Sequence, residues 1–118
     1  MAHFYTYETV EIPLTFTPTG VLDGYRHIVV SIVQDDIARV DKKDEDLSID
    51  TTNDTVVVSL TQEETAKFRG GNDKQPKTAK IQVNVYYENT NRDVSIIKEI
   101  SVYDNLYKKV IDYEHWFR

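Results

Sequence analysis

Apolar and polar residues alternate with a period of two in several short segments, a spacing that predicts β-strands with one buried face. The clearest segment, Ala79–Tyr87, sets Ile81, Val83 and Val85 on one face and mostly polar residues on the other. Similar patterns predict further strands over Thr9–Thr17, Tyr25–Gln34, Ile37–Val40, Leu47–Asp50, Thr55–Leu60, Val94–Tyr103 and Leu106–Ile111. Turn signals about every ten residues separate these segments, and together they predict an all-β fold, an antiparallel β-sandwich of about seven or eight strands.

Individual residues refine the placement of these strands. Pro13 lacks a backbone donor and therefore predicts an edge strand or a break. Tyr25–Gln34 has apolar residues on both faces, which favours a central position in its sheet. We expect Asp41–Asp46 to form a charged turn, and Asn53-Asp54 to turn a hairpin that joins Leu47–Asp50 to Thr55–Leu60.

One short helical turn is predicted near residues 62–68. Thr61 and Glu64 have the spacing of a capping box, in which each side chain accepts a hydrogen bond from the other residue's backbone N–H. We expect Gly70-Gly71 to end the helix, and Leu60 and Phe68 to fix it to the core from both ends. The connection that contains this turn should cross from one sheet to the other.

Composition and charge exclude several classes of protein. The 118 residues predict a single domain over 1–118, with an aromatic tail at 112–118. The chain has no cysteine, so disulfides and thiolate metal sites are excluded. Its net charge of −6 argues against nucleic-acid binding. No apolar run is long enough to span a membrane, and the segment Met1–Tyr5 does not have the pattern of a signal peptide.

No set of residues with catalytic or metal-binding spacing is evident. His3, His27 and His115 lie far apart in the sequence, which favours structural or surface roles. The acidic segment Asp35–Asp50 raises the possibility of calcium binding, but Lys42 and Lys43 interrupt it and it contains no glycine, so a solvated turn is the favoured interpretation.

Aromatic residues are the main candidates for an interaction surface. Tyr86 and Tyr103 are predicted to present their rings outside the sheet, where they would either contact a partner or pack across strands. Aromatic and polar side chains that commonly anchor protein interfaces also end the chain: Tyr113, His115, Trp116 and Phe117. This tail either folds back onto its own sandwich or docks into a neighbouring subunit.

Two segments of the sequence resemble a known group of proteins. Asn53–Phe68 reads NDTVVVSLTQEETAKF, and Lys80–Val83 follows it after a loop. They are similar to segments of small structural proteins from the tail and baseplate region of tailed phages and prophages of Firmicutes, including the N-terminal domain of upper baseplate proteins. The resemblance extends over most of the chain, from Ile28 to Val102. It implies an Ig-like β-sandwich that assembles with other proteins.

The resemblance implies a non-enzymatic virion protein that acts through contacts with other tail or baseplate proteins and is assembled in the host bacterial cytoplasm. Its partners would be such proteins or further copies of itself, and we expect no cofactor, no metal, no nucleic acid and no membrane partner. Two alternatives remain at this point. One is a carbohydrate-binding module for cell-wall glycans that uses tyrosine and tryptophan rings, and the other is an acidic inhibitor of a host protein.

Overall fold

Two β-sheets pack against each other, which confirms the predicted all-β sandwich. The structure is a computed structural model that describes residues 3–17, 20–87 and 93–106. Within these ranges the strands are β1 (His3–Tyr5), β2 (Val10–Thr15), β3 (Tyr25–Gln34), β4 (Ile37–Lys43), β5 (Leu47–Asp50), β6 (Thr55–Leu60), β7 (Lys77–Tyr87) and β8 (Asp93–Tyr103).

The strand order follows an Ig-like arrangement. One sheet has five strands in the order β1-β8-β7-β3-β4, and the other has three in the order β2-β6-β5. The chain passes between the sheets after β1, after β2, after β4 and after β6. The connection between β6 and β7 therefore crosses between the sheets, as the sequence predicts.

The core lies between the two sheets and is built from the alternating apolar positions. On β7 the buried residues are Ala79, Ile81, Val83 and Val85, while Lys80 and Tyr86 face outward. The three-stranded sheet contributes Ile12, Leu14, Leu47, Val56, Val58 and Leu60 to the same core. Removing this apolar surface from water is the main driving force for closing the sandwich.

The predicted edge and central strands are confirmed. β2 carries Pro13 and lies at one edge of the three-stranded sheet. On the outer side of an edge strand there is no neighbouring strand, so a missing N–H on that side costs no hydrogen bond within the sheet. β3 pairs with β4 on one side and with β7 on the other, so it is an interior strand. From Ile28 onwards its residues alternate between buried and half-buried, so both faces are at least partly covered.

The tight turns use acidic residues in the left-handed region. Asp35 and Asp36 have φ angles of 55° and 62° between β3 and β4, the signs that a two-residue hairpin turn requires. Asp54 has a φ of 50° in the predicted hairpin between β5 and β6. Short polar side chains tolerate this backbone conformation better than β-branched ones.

The prediction of a charged turn over Asp41–Asp46 is wrong for its first half. β4 continues through Lys43, because its pairing with β3 extends to the Val29–Lys43 pair, and a 3-10 turn follows at Asp44–Asp46. The tertiary pairing therefore overrides the low strand propensity of the charged residues.

The capping box is confirmed, on a helix shorter than the predicted range. Helix α1 spans Gln62–Thr65, and the Thr61 hydroxyl accepts a hydrogen bond from the Glu64 N–H at 3.2 Å. The Glu64 carboxylate in turn accepts from the Thr61 N–H at 2.9 Å. Both Leu60 and Phe68 are buried, so they fix the two ends of this segment to the core as expected.

Replacing Thr61 with alanine should lower the free energy of unfolding by about 1 kcal/mol, because the Glu64 N–H loses its partner. Urea unfolding followed by circular dichroism measures this loss. Thr61→Ser is the control, since it keeps the hydroxyl and should cost at most a few tenths of that amount. Equal losses for both variants would contradict the capping role.

The prediction that Gly70-Gly71 ends the helix is wrong, since α1 ends at Thr65, well before the glycines. Gly70 is needed instead for close approach to the end of β8, and Gly71 for close approach to the segment that leads into β7. A Cβ on Gly70 would lie 2.5 Å from the Asp104 nitrogen, and a Cβ on Gly71 would lie 2.0 Å from the Gln75 carbonyl oxygen. No side chain fits at such distances without a backbone shift.

Two further differences concern the ends of the described chain. β1 was not predicted, and it pairs in parallel with β8, so the sandwich is not wholly antiparallel. The predicted strand Leu106–Ile111 falls mostly outside the described residues. Leu106 itself lies in a bend and is fully exposed, so no strand begins there.

Candidate interaction surface

Three aromatic side chains gather where β1 meets the end of β8, and we call His3, Tyr5 and Tyr103 the aromatic corner. The Tyr5 and Tyr103 rings are stacked with centroids 5.3 Å apart and an interplanar angle of 29°. The His3 ring meets both edge-on, at 6.2 Å from Tyr5 and 5.8 Å from Tyr103. The corner thus joins residues from opposite ends of the sequence.

The alternation along β1 produces the aromatic corner. Phe4 is buried against the core, so its neighbours His3 and Tyr5 must point outward. The pairing with β8 sets Tyr5 beside Tyr103. The Thr6 N–H extends this pairing by donating to the Tyr103 carbonyl at 3.0 Å.

Hydrogen bonds beyond the strands hold this end of the sheet together. The Thr6 hydroxyl lies 3.4 Å from the Asp104 carboxylate and accepts from the Asn105 N–H at 3.1 Å. The Gly71 N–H donates to the Val102 carbonyl at 3.0 Å, and the Asp104 N–H donates to the Gly71 carbonyl at 2.8 Å. These hydrogen bonds link β1, the end of β8 and the loop that contains Gly71, and they hold the backbone beneath the aromatic corner in place.

An open cleft of about 790 Å³ lies beside the aromatic corner. Tyr5 forms one wall, the loop that holds Gly71 and Asp73 forms another, and Asp104 and Leu106 line the exit of the chain from β8. Its lining is mostly polar and charged, as the rims of protein interfaces are.

The predicted surface residues are only partly brought together. Tyr103 combines the two predicted roles, since its ring packs across strands on Tyr5 and stays partly exposed. Tyr86 is 40% exposed on the outer face, as predicted, but it lies at the opposite end of the β7–β8 pair. Tyr113, His115, Trp116 and Phe117 lie outside the described residues.

Sequence reasoning missed two members of the aromatic corner, His3 and Tyr5. Their pairing partners on β8 lie 98 residues later in the sequence, from Ser101 to Tyr103, and β1 contributes a single buried side chain. The alternation of His3, Phe4 and Tyr5 fits a strand, but three residues are too few for a period-two pattern to predict one.

The acidic segment forms local contacts around the 3-10 turn. The Asp44 carboxylate accepts the Ile28 N–H at 3.0 Å and lies 3.0 Å from His27 Nδ1. The Ile28 N–H, followed by His27, lowers the pKa of Asp44 below its usual value, against a smaller opposing effect of burial. Among the described residues, no group of three or more histidine and carboxylate side chains is placed to hold a metal ion.

Glu64 links the helix to the five-stranded sheet. Its carboxylate contacts Lys42 Nζ at 2.7 Å, and both side chains are largely buried. Burial raises the pKa of Glu64, but the hydrogen bond from Lys42, the Thr61 N–H and the charge of Lys42 together outweigh it, so the pKa is lowered below 4.5.

A lowered pKa means that Glu64 stabilises the fold fully above about pH 4.5 and loses this contribution as the pH falls through its folded-state pKa. Glu64→Gln should therefore be less stable than the wild type at neutral pH, and the difference should shrink as the pH falls below about 4.5. Urea unfolding at several pH values measures it. A difference that stays constant with pH would contradict this assignment.

Comparison with known proteins gives likeness at the level of the fold. No protein-family profile and no curated protein matches the chain. The X-ray structure of the endo-β-1,4-mannanase from Thermotoga petrophila is similar to it with a TM-score of 0.54 and 10% sequence identity. The match covers 88% of this chain but 18% of the mannanase chain. At that identity the likeness shows a shared fold.

One property bears on membranes. None of the helices in the described ranges is long and apolar enough to cross a bilayer.

Proposed function

We propose that the chain is a non-enzymatic structural protein of the tail or baseplate of a tailed phage or prophage, which acts in the virion through protein–protein contacts. The observation that carries the contact role is the aromatic corner, where stacked tyrosine rings stay accessible beside an open cleft. Tyrosine is among the residue types that contribute most binding energy at interfaces.

The assignment to a phage tail rests on the resemblance of Asn53–Phe68 and Lys80–Val83 to such proteins. In the fold these residues form β6, the capped helix α1 and part of β7. They thus build the crossover between the sheets, and they leave the aromatic corner free to contact other proteins.

Particle purification tests the proposal. Prophages of the strain that carries the gene are induced, and the particles are separated on a density gradient and analysed by quantitative mass spectrometry. We expect the chain to sediment with intact particles in fixed ratio to the tail proteins, and antibodies against it to label the tail. Recovery of the chain entirely at the top of the gradient would overturn the proposal.

A matched pair of variants tests the aromatic corner. Tyr5→Ala combined with Tyr103→Ala should reduce incorporation into particles at least tenfold, because both rings of the stack are lost. Tyr86→Ala removes an equally exposed tyrosine at the other end of the sheet and should be incorporated normally. Equal incorporation of both variants would place the contact elsewhere on the surface.

One observation favours glycan binding as a second function. Tyr5 is 37% exposed on a sheet face, where a flat ring can stack on a sugar. Titration with cell-wall polysaccharide should then perturb the Tyr5 and Tyr103 ring resonances and leave Tyr86 unchanged. An absence of shifts at saturating polysaccharide would remove this function.

A further inference from the structure

The strand β8 has a long unpaired edge. On one side it pairs with β7 along its whole length, from the Tyr86–Asp93 pair to the Lys77–Val102 pair. On the other side β1 covers only Ser101–Tyr103. On this second side no described residue pairs with residues 94–100, and we call this side of the stretch the open β8 edge.

The direction of the backbone groups on the open β8 edge follows from two hydrogen bonds. The Tyr103 carbonyl accepts from Thr6 on the β1 side, and the Val102 carbonyl accepts from Gly71 on the other side. Because this direction alternates along a strand paired in antiparallel fashion, Ser95, Ile97 and Glu99 direct their N–H and C=O groups to the open edge.

The other sheet edges are protected against pairing. β2 carries Pro13, and β5 has four residues. β4 contains four charged residues, and its pairing with β3 has a register shift at Ile32/Val33, which bends the edge. The open β8 edge has neither a proline nor an irregularity of this kind, and Ile97 at its centre is 60% exposed.

We propose that the open β8 edge pairs in antiparallel fashion with the same edge of a second copy, with Ile97 of each chain at the two-fold axis. This deepens the proposed structural role, on which its biological use depends. The edge is self-complementary, because a two-fold axis at its midpoint pairs Ile97 with Ile97, and Ser95 with Glu99 in both directions. Six backbone hydrogen bonds result, and the two-fold pairing uses up the open β8 edge of both copies, so it stops at a dimer.

Side-chain charges select this register over its neighbours. An axis at Lys98 would set the two Lys98 side chains opposite each other and would require Ser101, which already pairs with His3. An axis at Ile96 would set Glu99 opposite Asp93, a second acidic residue. The axis at Ile97 avoids like-charge pairs and brings two exposed isoleucines together on the outer face.

Disulfide cross-linking through an outward-facing position of β8 tests the proposed pairing. Because the chain has no cysteine, Ile97→Cys introduces a single thiol close to its own symmetry mate. Ile37→Cys is the matched control, since Ile37 is 55% exposed on β4 at the opposite edge of the same sheet. Under mild oxidation Ile97→Cys should form a covalent dimer at least tenfold faster than Ile37→Cys.

Sedimentation velocity over a range of concentrations measures association directly. We expect the wild type to shift from monomer towards dimer as its concentration rises, Ile97→Lys to stay monomeric, and Ile37→Lys to associate like the wild type. Circular dichroism confirms that each variant is folded. Wild-type protein that stays monomeric up to millimolar concentration, without selective cross-linking at position 97, would overturn the proposal and assign Lys98 the role of guarding the edge.

The experiments distinguish failure of the proposed dimer from failure of the proposed role in the virion. Monomeric protein that is still incorporated into particles overturns the dimer alone. Dimeric protein that is absent from particles overturns the proposed function alone.

Discussion

Replacing Phe68 with alanine is expected to lower the free energy of unfolding by about 3–5 kcal/mol. Phe68 is buried just after the capped helix, and its ring meets the Phe4 ring edge-to-face with centroids 5.1 Å apart. Truncation removes the transfer free energy of the ring and leaves a cavity between the crossover segment and β1. Such a loss is a large share of the total stability expected for a domain of this size.

Urea unfolding followed by circular dichroism measures this effect. Leu106→Ala is the matched control, because it also truncates a large apolar side chain but at a fully exposed position. That control should change stability by less than about 0.5 kcal/mol. Similar losses for Phe68→Ala and Leu106→Ala would show that Phe68 does not fix the crossover to the core.

Replacing Asp54 with alanine is expected to cost about 3 kcal/mol, for a different physical reason. The Asp54 carboxylate is buried and accepts the Gly20 N–H at 3.0 Å and the Leu22 N–H at 3.4 Å. It thereby ties the connection between β2 and β3 to the β5–β6 hairpin. Alanine leaves these amides without their acceptor and places a residue less tolerant of the left-handed region at a φ of 50°.

Two variants distinguish the loss of the Asp54 hydrogen bonds from a general disturbance of the β5–β6 turn. Asp54→Asn keeps one acceptor oxygen and tolerates the positive φ, so it should lose clearly less stability than alanine. Asp50→Ala removes a carboxylate from the exposed turn of the same hairpin, where water replaces it, and should cost clearly less than Asp54→Ala. Hydrogen exchange of the Leu22 amide should accelerate in Asp54→Ala. A loss no greater than that of Asp50→Ala would contradict the anchoring role.

Local patterns predict much of this fold and little of its surface site. The capping box at Thr61 and Glu64 is set by residues three positions apart, so the sequence predicts it fully. The strand Tyr25–Gln34 is predicted to the residue because its long apolar pattern is independent of distant partners. The glycines at 70 and 71 were misread because the backbone groups that crowd them, at the end of β8 and just before β7, are brought close only by the tertiary fold.

The aromatic corner shows the same limit. The sequence predicts that Tyr103 points outward, but the rings that it contacts belong to β1. No local rule reveals a parallel pairing between a three-residue strand and a segment 98 positions away. Predicting the site therefore required the tertiary structure.

The parallel contact between β1 and β8 also has a kinetic consequence. The loop that must close before these strands meet spans almost the whole chain, and such distant contacts slow folding. During synthesis on the ribosome Phe4 is made well before β8, so it cannot be buried against β8 until residue 103 has been added. We therefore expect the nascent chain to expose this phenylalanine until late in translation, which makes it a natural point of contact for chaperones.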